Sequence, residues 1–227
     1  MIVAIHQPQY LPWLGYFDKI AKSDVFVFLD NVQFKKNEWQ NRNKIKTSQK
    51  WQWLSVPVLH KFPQEISEVE INSSEPWGKK HLNALITNYS KAPFFKDYIL
   101  FFERTYERDW KFLADVNRHI IEFLVQALGL ADKKLVRSSE QKTREGPTER
   151  LIDICRNVGA DVYLSGKDGA KYLELDKFEA EGIKVVFQNY THPVYPQLFG
   201  SFEPFMSVVD LLFNRGPQSL SILKEGG

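Results

Sequence analysis

The chain has 227 residues, of which 43% are hydrophobic and 26% are charged. Its formal net charge of only +2 argues against a dedicated nucleic-acid-binding protein, which normally carries a strong basic excess. No apolar run approaches the roughly 18 residues of a membrane helix, and a single cysteine, Cys155, excludes an intrachain disulfide. The N-terminus lacks the basic segment and cleavage site of a signal peptide. We therefore expect one α/β domain over 1–227 in a cytoplasmic protein, without membrane insertion or a nucleic-acid partner.

The first thirty residues predict a strand, a loop, a helix and a second strand. Apolar residues fill 2–5, and the two prolines within 6–12 exclude a regular helix or central strand there. Apolar residues then recur at helical spacing over 13–21, and the run VFVFL at 25–29 is typical of a strand covered on both faces. Two strands joined in this way should be parallel, with a right-handed crossover.

The remaining sequence predicts more α/β structure around a helical segment. Polar residues and several asparagines over 31–50 favour a turn-rich loop. Further elements are expected as strands at 51–58, 135–137, 161–164 and 184–188, and as helices at 77–90, 93–105, 109–128, 147–159 and 205–214. The predicted fold class is α/β, a mainly parallel sheet with flanking helices (Rossmann-like, in one version nucleotidyltransferase-like), in which 77–128 is a helical insertion or cap.

The loop that follows the first strand is the first candidate site. It leaves the carboxyl end of that strand, where open α/β sheets bind ligands, and the next helix begins with free N–H groups that suit phosphate. His6 could donate a hydrogen bond or a proton there. The alternative is a buried histidine whose hydrogen bonds are satisfied. The binding residues expected in this region are Gln7, Tyr10, Trp13, Gly15 and Tyr16.

A second loop with suitable chemistry follows the strand at 161–164. Gly166 lets the backbone approach a ligand closely, while Ser165 offers a hydroxyl and Lys167 a cation for a phosphate. The spacing of a P-loop is absent. The alternative is an ordinary glycine turn with a solvated lysine.

Two further candidates follow the second and the last predicted strands. Asp30 could orient a hydroxyl or an amine, and Arg42 could clamp a phosphate or carboxylate. His192 and the two tyrosines Tyr190 and Tyr195 could line a pocket in a proline-shaped loop. Solvated loops without a function are the alternative for both segments. No histidine pair has metal-binding spacing, so we predict no protein-bound metal.

Several motifs resemble those of the WbqC-like protein family. They occur at 6–17 (HQPQYLPWLGYF), 24–30, Gln33, 41–43, 53–58, 163–166, 190–195 and 207–216 (SVVDLLFNRG). The resemblance spans nearly the whole chain and implies a place in gene clusters for O-antigen and other surface polysaccharides. It implies sugar-nucleotide chemistry more firmly than it implies a reaction.

The leading hypothesis is an enzyme that attaches an acyl or aminoacyl group to an amino sugar or sugar nucleotide, with ATP and Mg²⁺ as the expected cofactors. His6, Asp30 and His192 are its expected catalytic residues. The fold-level analogy is with adenylyl-transferring enzymes that carry a His-x-Gly-His motif, although aromatic Trp13 and Tyr16 replace both histidines here. The alternatives are an ATP-independent transferase and a non-catalytic binding or scaffold subunit. The oligomeric state stays open.

Overall fold

The computed structural model describes all residues, 1–227, in nine strands and eight α-helices. The strands are β1 (Ile2–His6), β2 (Val25–Phe28), β3 (Arg42–Thr47), β4 (Lys50–Ser55), β5 (Val58–Leu59), β6 (Glu70–Ile71), β7 (Lys134–Arg137), β8 (Val162–Ser165) and β9 (Lys184–Phe187). The helices are α1 (Leu14–Lys22), α2 (Trp77–Tyr89), α3 (Phe95–Glu107), α4 (Leu113–Ala127), α5 (Pro147–Val158), α6 (Leu175–Ala180), α7 (Val208–Arg215) and α8 (Ser219–Lys224). None of these helices combines the length and the apolar character needed to span a bilayer.

Five strands form one parallel sheet in the order β7-β2-β1-β8-β9. The chain winds outward from β1 to β2 and β7, then returns to place β8 on the other side of β1. The connections that leave β1 and β8 therefore diverge, and a crevice opens between their carboxyl ends, where α/β sheets of this kind bind ligands. The predicted α/β class with a mainly parallel sheet is confirmed.

Both faces of the sheet are covered by apolar side chains. Val3 and Val25 belong to a cluster formed with α5 and α6, while Ala4 and Phe26 join a larger cluster with α1 and the middle helices. Because successive side chains of a strand point to opposite faces, a strand that is covered on both sides must be apolar throughout. The continuous apolar run of β2 follows from this position next to β1.

The segment between β2 and β7 holds the two small antiparallel pairs β3–β4 and β5–β6 and the helices α2, α3 and α4. The prediction of a turn-rich loop over 31–50 is wrong for residues 42–47. These residues form β3, which pairs with β4 in an antiparallel arrangement. Asn43 and Ile45 are buried there and Arg42 and Lys44 are half-buried, so burial alternates over 42–45. An asparagine at an inward position conceals it in the sequence.

Candidate functional site

A cleft of about 460 Å³ lies at the carboxyl ends of β1, β8 and β9, beside the start of α1. Its volume falls within the range of small-molecule sites, about 300–1,000 Å³. The cleft includes seven residues predicted from the sequence: His6, Trp13, Gly15, Tyr16, Ser165, Gly166 and Lys167. The crevice predicted by the strand order therefore contains residues from two of the candidate loops.

Lys19 places a buried amine in the wall of this cleft. The side chain extends from α1, the residue is only 2% exposed, and its Nζ has no hydrogen-bond partner. A Cβ atom added to Gly166 would lie 3.9 Å from Nζ, so the amine faces the loop that follows β8. Burial lowers the pKa of Lys19 to about 7, an effect that nearby Asp18 only partly offsets.

Asp18 does not neutralise this amine, because its carboxylate is engaged elsewhere. Its oxygens lie 3.0 Å from Lys22 Nζ and 2.7 Å from Gln188 Nε2. A buried cation without a hydrogen-bonded partner is costly, and an anion in the cleft would remove that cost. The wall formed by α1 is thus complementary to a negatively charged ligand group.

His6 lies at the end of β1, with its ring edge-to-face against Tyr16 at a centroid distance of 5.0 Å. Its Nδ1 is buried without a hydrogen-bond partner. Burial, with a smaller contribution from the charge of Lys19, holds the pKa of His6 well below its usual range. A neutral imidazole can accept a proton or exchange hydrogen bonds, and His6 is placed to do so in the cleft.

The loop after β8 forms the opposite wall. Ser165 is buried, and the short 3₁₀ helix Lys167–Lys171 follows Gly166. A Cβ atom on Gly169 would lie 2.1 Å from Ser165 Oγ, so only glycine lets this turn close over the serine. Lys167 is exposed at the rim of the cleft. Together with Lys19 it gives the cleft one buried and one solvated cation.

Aromatic rings form a third side of the cleft. The Trp13 indole lies over Gly15, where an added Cβ would come within 2.3 Å of the ring. Tyr190 and Phe205 pack against the same indole at centroid distances of 5.8 and 5.7 Å. Phe205 is 51% exposed and holds a left-handed φ of 60°, a conformation that costs free energy and is enriched at ligand sites. Flat rings and sugar faces suit such a surface.

Asp30 does not line the cleft. It is 1% exposed, and its carboxylate accepts hydrogen bonds from Arg137 Nε, Ser138 Oγ and the N–H and Oγ of Ser139, at 2.8–3.1 Å. These four donors fill the capacity of a carboxylate. In this structure Asp30 joins the ends of β2 and β7, and its expected catalytic role stays a prediction.

Besides Gln7, three expected binding residues lie outside the cleft. The Tyr10 hydroxyl is buried, 2.7 Å from both His81 Nδ1 and Tyr106 Oη. Tyr195 donates a hydrogen bond of 3.0 Å to buried Asp210. Arg42 stacks on Trp53, 4.3 Å from the ring centroid.

His192 and Gln7 occupy neighbouring positions. His192 stacks behind Trp13 at 6.4 Å, and its Nδ1 lies 2.8 Å from the Pro193 carbonyl oxygen. Gln7 accepts a hydrogen bond of 2.8 Å from Gln40 and lines a second cavity beside the cleft. Neither residue lines the cleft itself.

The sequence reasoning missed several residues that line the cleft. They are Gln9, Lys19, Trp39, Gln188 and Asn189, among others, whereas Tyr190 was predicted as a pocket residue and does line the cleft. Lys19 lies four residues after Gly15 and three after Tyr16, so a helical projection places all three on one face. Gln188 directly follows β9, at the same edge as the other loops. Both residues could have been predicted from their positions in the sequence. No group of three His, Cys, Asp or Glu side chains is arranged to hold a metal ion.

Comparison with known proteins identifies the family. The family model described as the WbqC-like protein family matches residues 7–222. The chain belongs to this family. A relative from Mycobacterium tuberculosis (strain ATCC 25618 / H37Rv), named Uncharacterized protein Rv1507c, is 38% identical over 226 residues, which cover 98% of this chain and 97% of the relative. No solved structure matches the chain.

The WbqC-like match covers nearly the whole cleft. Trp13, Lys19, Ser165 and Tyr190 all lie within 7–222, and His6 immediately precedes the matched region. The cleft is therefore a feature of the part of the chain that the WbqC-like family shares.

Proposed function

We propose that this WbqC-like chain is an enzyme of surface-polysaccharide biosynthesis that uses ATP to attach a small carboxylic or amino acid to an amino sugar or sugar nucleotide. The observation that carries the proposal is the buried, unpartnered amine of Lys19, which faces the Gly166 loop at the diverging connections of a parallel sheet. The sugar context comes from the family resemblance. Acyl activation is the reaction that links a nucleotide site to a sugar amine.

Two cations, Lys19 and Lys167, and the loop after β8 support the proposal of phosphate recognition. Lys19 supplies a charge that is poorly solvated, so its attraction to an anion is screened less than that of a surface lysine. Lys167 and Ser165 line the opposite wall of the cleft and would contact the phosphate from there. The Trp13 wall offers a surface on which the nucleotide base or the sugar can stack. Mg²⁺ bound to ATP would neutralise part of the triphosphate charge.

The proposed reaction has two steps. A carboxylate oxygen of the acid attacks the α-phosphorus of ATP, the bond to the bridging oxygen breaks, and pyrophosphate leaves. Lys19 and Lys167 stabilise the charge that develops on the phosphoryl oxygens. The sugar amine then attacks the acyl carbon, AMP leaves with the electron pair of the broken bond, and an amide forms. The amine gives up its proton in this step, and the proton acceptor in this proposal is neutral His6, which lines the cleft.

Nucleotide binding by Lys19 is tested by calorimetry with AMP and with MgATP. A hydrogen bond to a charged group contributes about 1.5–3 kcal/mol, so Lys19→Met should weaken binding about 10- to 100-fold. Lys91→Met, at an exposed lysine outside the cleft, is the matched control and should bind like the wild type. Equal affinity of Lys19→Met and wild type would remove Lys19 from the site.

Acid activation is tested by the exchange of labelled pyrophosphate into ATP in the presence of carboxylic and amino acids. Adenylation predicts exchange that depends on the acid and is lost in Lys19→Met. Binding of sugar nucleotides or acyl-CoA without exchange would favour the ATP-independent transferase. Failure of every nucleotide, sugar nucleotide and acyl-CoA to bind would favour the scaffold.

A further inference from the structure

We infer that a second cavity, on the other side of His6 from the cleft, binds the carboxylate-bearing substrate through Arg150. The cavity has a volume of about 450 Å³ and shares Ile5, His6, Tyr163 and Tyr172 with the cleft. The two cavities are therefore neighbours with a common wall. This inference rests on the proposed function for the identity of the reaction, and on separate residues for the binding.

Arg150 is the only charged residue that lines this cavity, and no acidic side chain lies along it. The Nε of Arg150 is buried and has no hydrogen-bond partner. The acidic neighbour Glu149 is engaged with Lys177, at 2.6 Å between carboxylate oxygen and Nζ. Arg150 thus lines the cavity without a carboxylate of the protein to neutralise it, and the planar fork of a guanidinium fits a carboxylate in two hydrogen bonds.

The other residues that line this cavity indicate the polarity of the ligand that would fit it. Leu29, Val32, Pro147 and Leu151 present apolar surface around the arginine. A mostly apolar pocket with one polar anchor favours a small ligand that has one charged end. A phosphate dianion would be only half neutralised by a single guanidinium, whereas a carboxylate monoanion would be neutralised completely. The charge of the cavity therefore favours a carboxylate with a short apolar chain over a phosphate.

His6 connects the two cavities to the proposed reaction. It is the only histidine that lines both cavities. An acid held by Arg150 would lie next to a nucleotide held by Lys19, with His6 between them. Both reactants would then meet at the end of β1.

The test uses ligand-observed NMR with hexanoate, its neutral amide hexanamide and hexylphosphonate as probes. Hexanoate should bind the wild type, hexanamide should not, and hexylphosphonate should bind more weakly than hexanoate. Arg150→Met should weaken hexanoate binding at least tenfold, and Arg150→Lys, which keeps the charge without the fork, should be intermediate. Arg156→Met is the control on the same helix, since that guanidinium pairs with Glu181 on the surface. It should bind hexanoate like the wild type.

AMP binding, measured on the same samples, separates the two proposals. Arg150→Met should bind AMP with unchanged affinity, which also shows that the variant is folded. Hexanoate binding that is absent from the wild type, or that is unaffected by Arg150→Met, would overturn the inference even if AMP binds. Hexylphosphonate binding tighter than hexanoate would overturn the carboxylate assignment. Hexanoate binding that depends on Arg150 in a protein that binds no nucleotide would leave the second site standing and reject the proposed function.

Discussion

Lys19 is a residue whose burial costs the folded protein stability. Its pKa is lowered to about 7 from an ordinary value of 10.5, and burial is the larger cause. Between these two values the unfolded chain binds a proton that the folded chain does not hold. The free energy of unfolding therefore rises with pH through this window. Two ionisable groups interact with this amine. The charge of Asp18 raises the pKa of Lys19, and the pKa of His6 is itself lowered well below its usual range.

Lys19→Met should stabilise the ligand-free protein at pH 7, because methionine has no charge to bury. One pKa unit corresponds to about 1.4 kcal/mol, so the gain in the free energy of unfolding should be roughly 3–5 kcal/mol at pH 7. Urea unfolding at pH 7 and pH 10 measures it. The difference between variant and wild type should shrink as the pH rises. A difference that does not depend on pH would mean that the buried charge is not its cause.

Asp30 is a residue whose hydrogen bonds indicate a structural role. Asp30→Asn would leave Arg137 with Asp115 as its remaining carboxylate partner, at 3.3 Å. Breaking a buried ion pair by removing one partner costs about 3–5 kcal/mol, and Arg137 is partly exposed, so we expect a loss of about 2–4 kcal/mol in the free energy of unfolding. AMP affinity should not change. A stable variant that has lost activity would instead support the catalytic role predicted from the sequence.

At the scale of elements, the turn between β8 and α6 combines two glycines with different tasks. Gly166 faces the amine of Lys19 across an ordinary contact distance of 3.9 Å, while Gly169 closes over Ser165 with no room for a methyl group. The proposed function gives the first glycine the role of leaving space for a ligand, while the second permits the turn itself.

The two alanine variants should therefore separate binding from folding. Gly166→Ala should leave the free energy of unfolding within about 0.5 kcal/mol of wild type, as for a sterically tolerated surface change, yet weaken AMP binding, because the methyl group projects toward Lys19. Gly169→Ala should destabilise the protein by about 1–3 kcal/mol through overpacking. Thermal unfolding and calorimetry on both variants measure the two effects. Equal behaviour of the two variants would contradict this division of tasks.

For the whole molecule, the cleft depends on segments that are far apart in the chain. The ends of β1, β8 and β9 meet only because the chain returns to the centre of the sheet after the long segment between β2 and β7. A ligand in the cleft would therefore connect the first, fourth and fifth strands of the parallel sheet in chain order.

Hydrogen exchange should reveal this connection. Saturating AMP should slow amide exchange in three separate segments, 6–19, 165–172 and 188–190, because each contributes residues to the cleft. Helix α3, which does not line the cleft, should exchange at the same rate with and without AMP. Mass spectrometry of peptides resolves these regions. Protection confined to a different surface would place the nucleotide elsewhere.

The sequence alone determined the parallel sheet and most of its elements. The apolar runs of β1 and β2 have the composition of buried strands, and the two prolines between β1 and α1 mark the loop at a carboxyl end. From these local patterns the positions of His6, Trp13 and Ser165 at one sheet edge could be predicted. The patterns are readable because burial on both faces constrains every residue of a central strand.

Only the tertiary structure decided which polar residues face the cleft. His6 ends β1 and Asp30 follows β2, yet Asp30 is held by Arg137 and two serines from the segment that begins with β7, more than 100 residues away. Lys19 appears in the sequence as one more helical lysine, and only the fold shows that its amine is buried near the loop after β8. Local periodicity reports which face of an element is apolar. It contains no information about which distant side chain will satisfy a polar group or leave it free for a ligand.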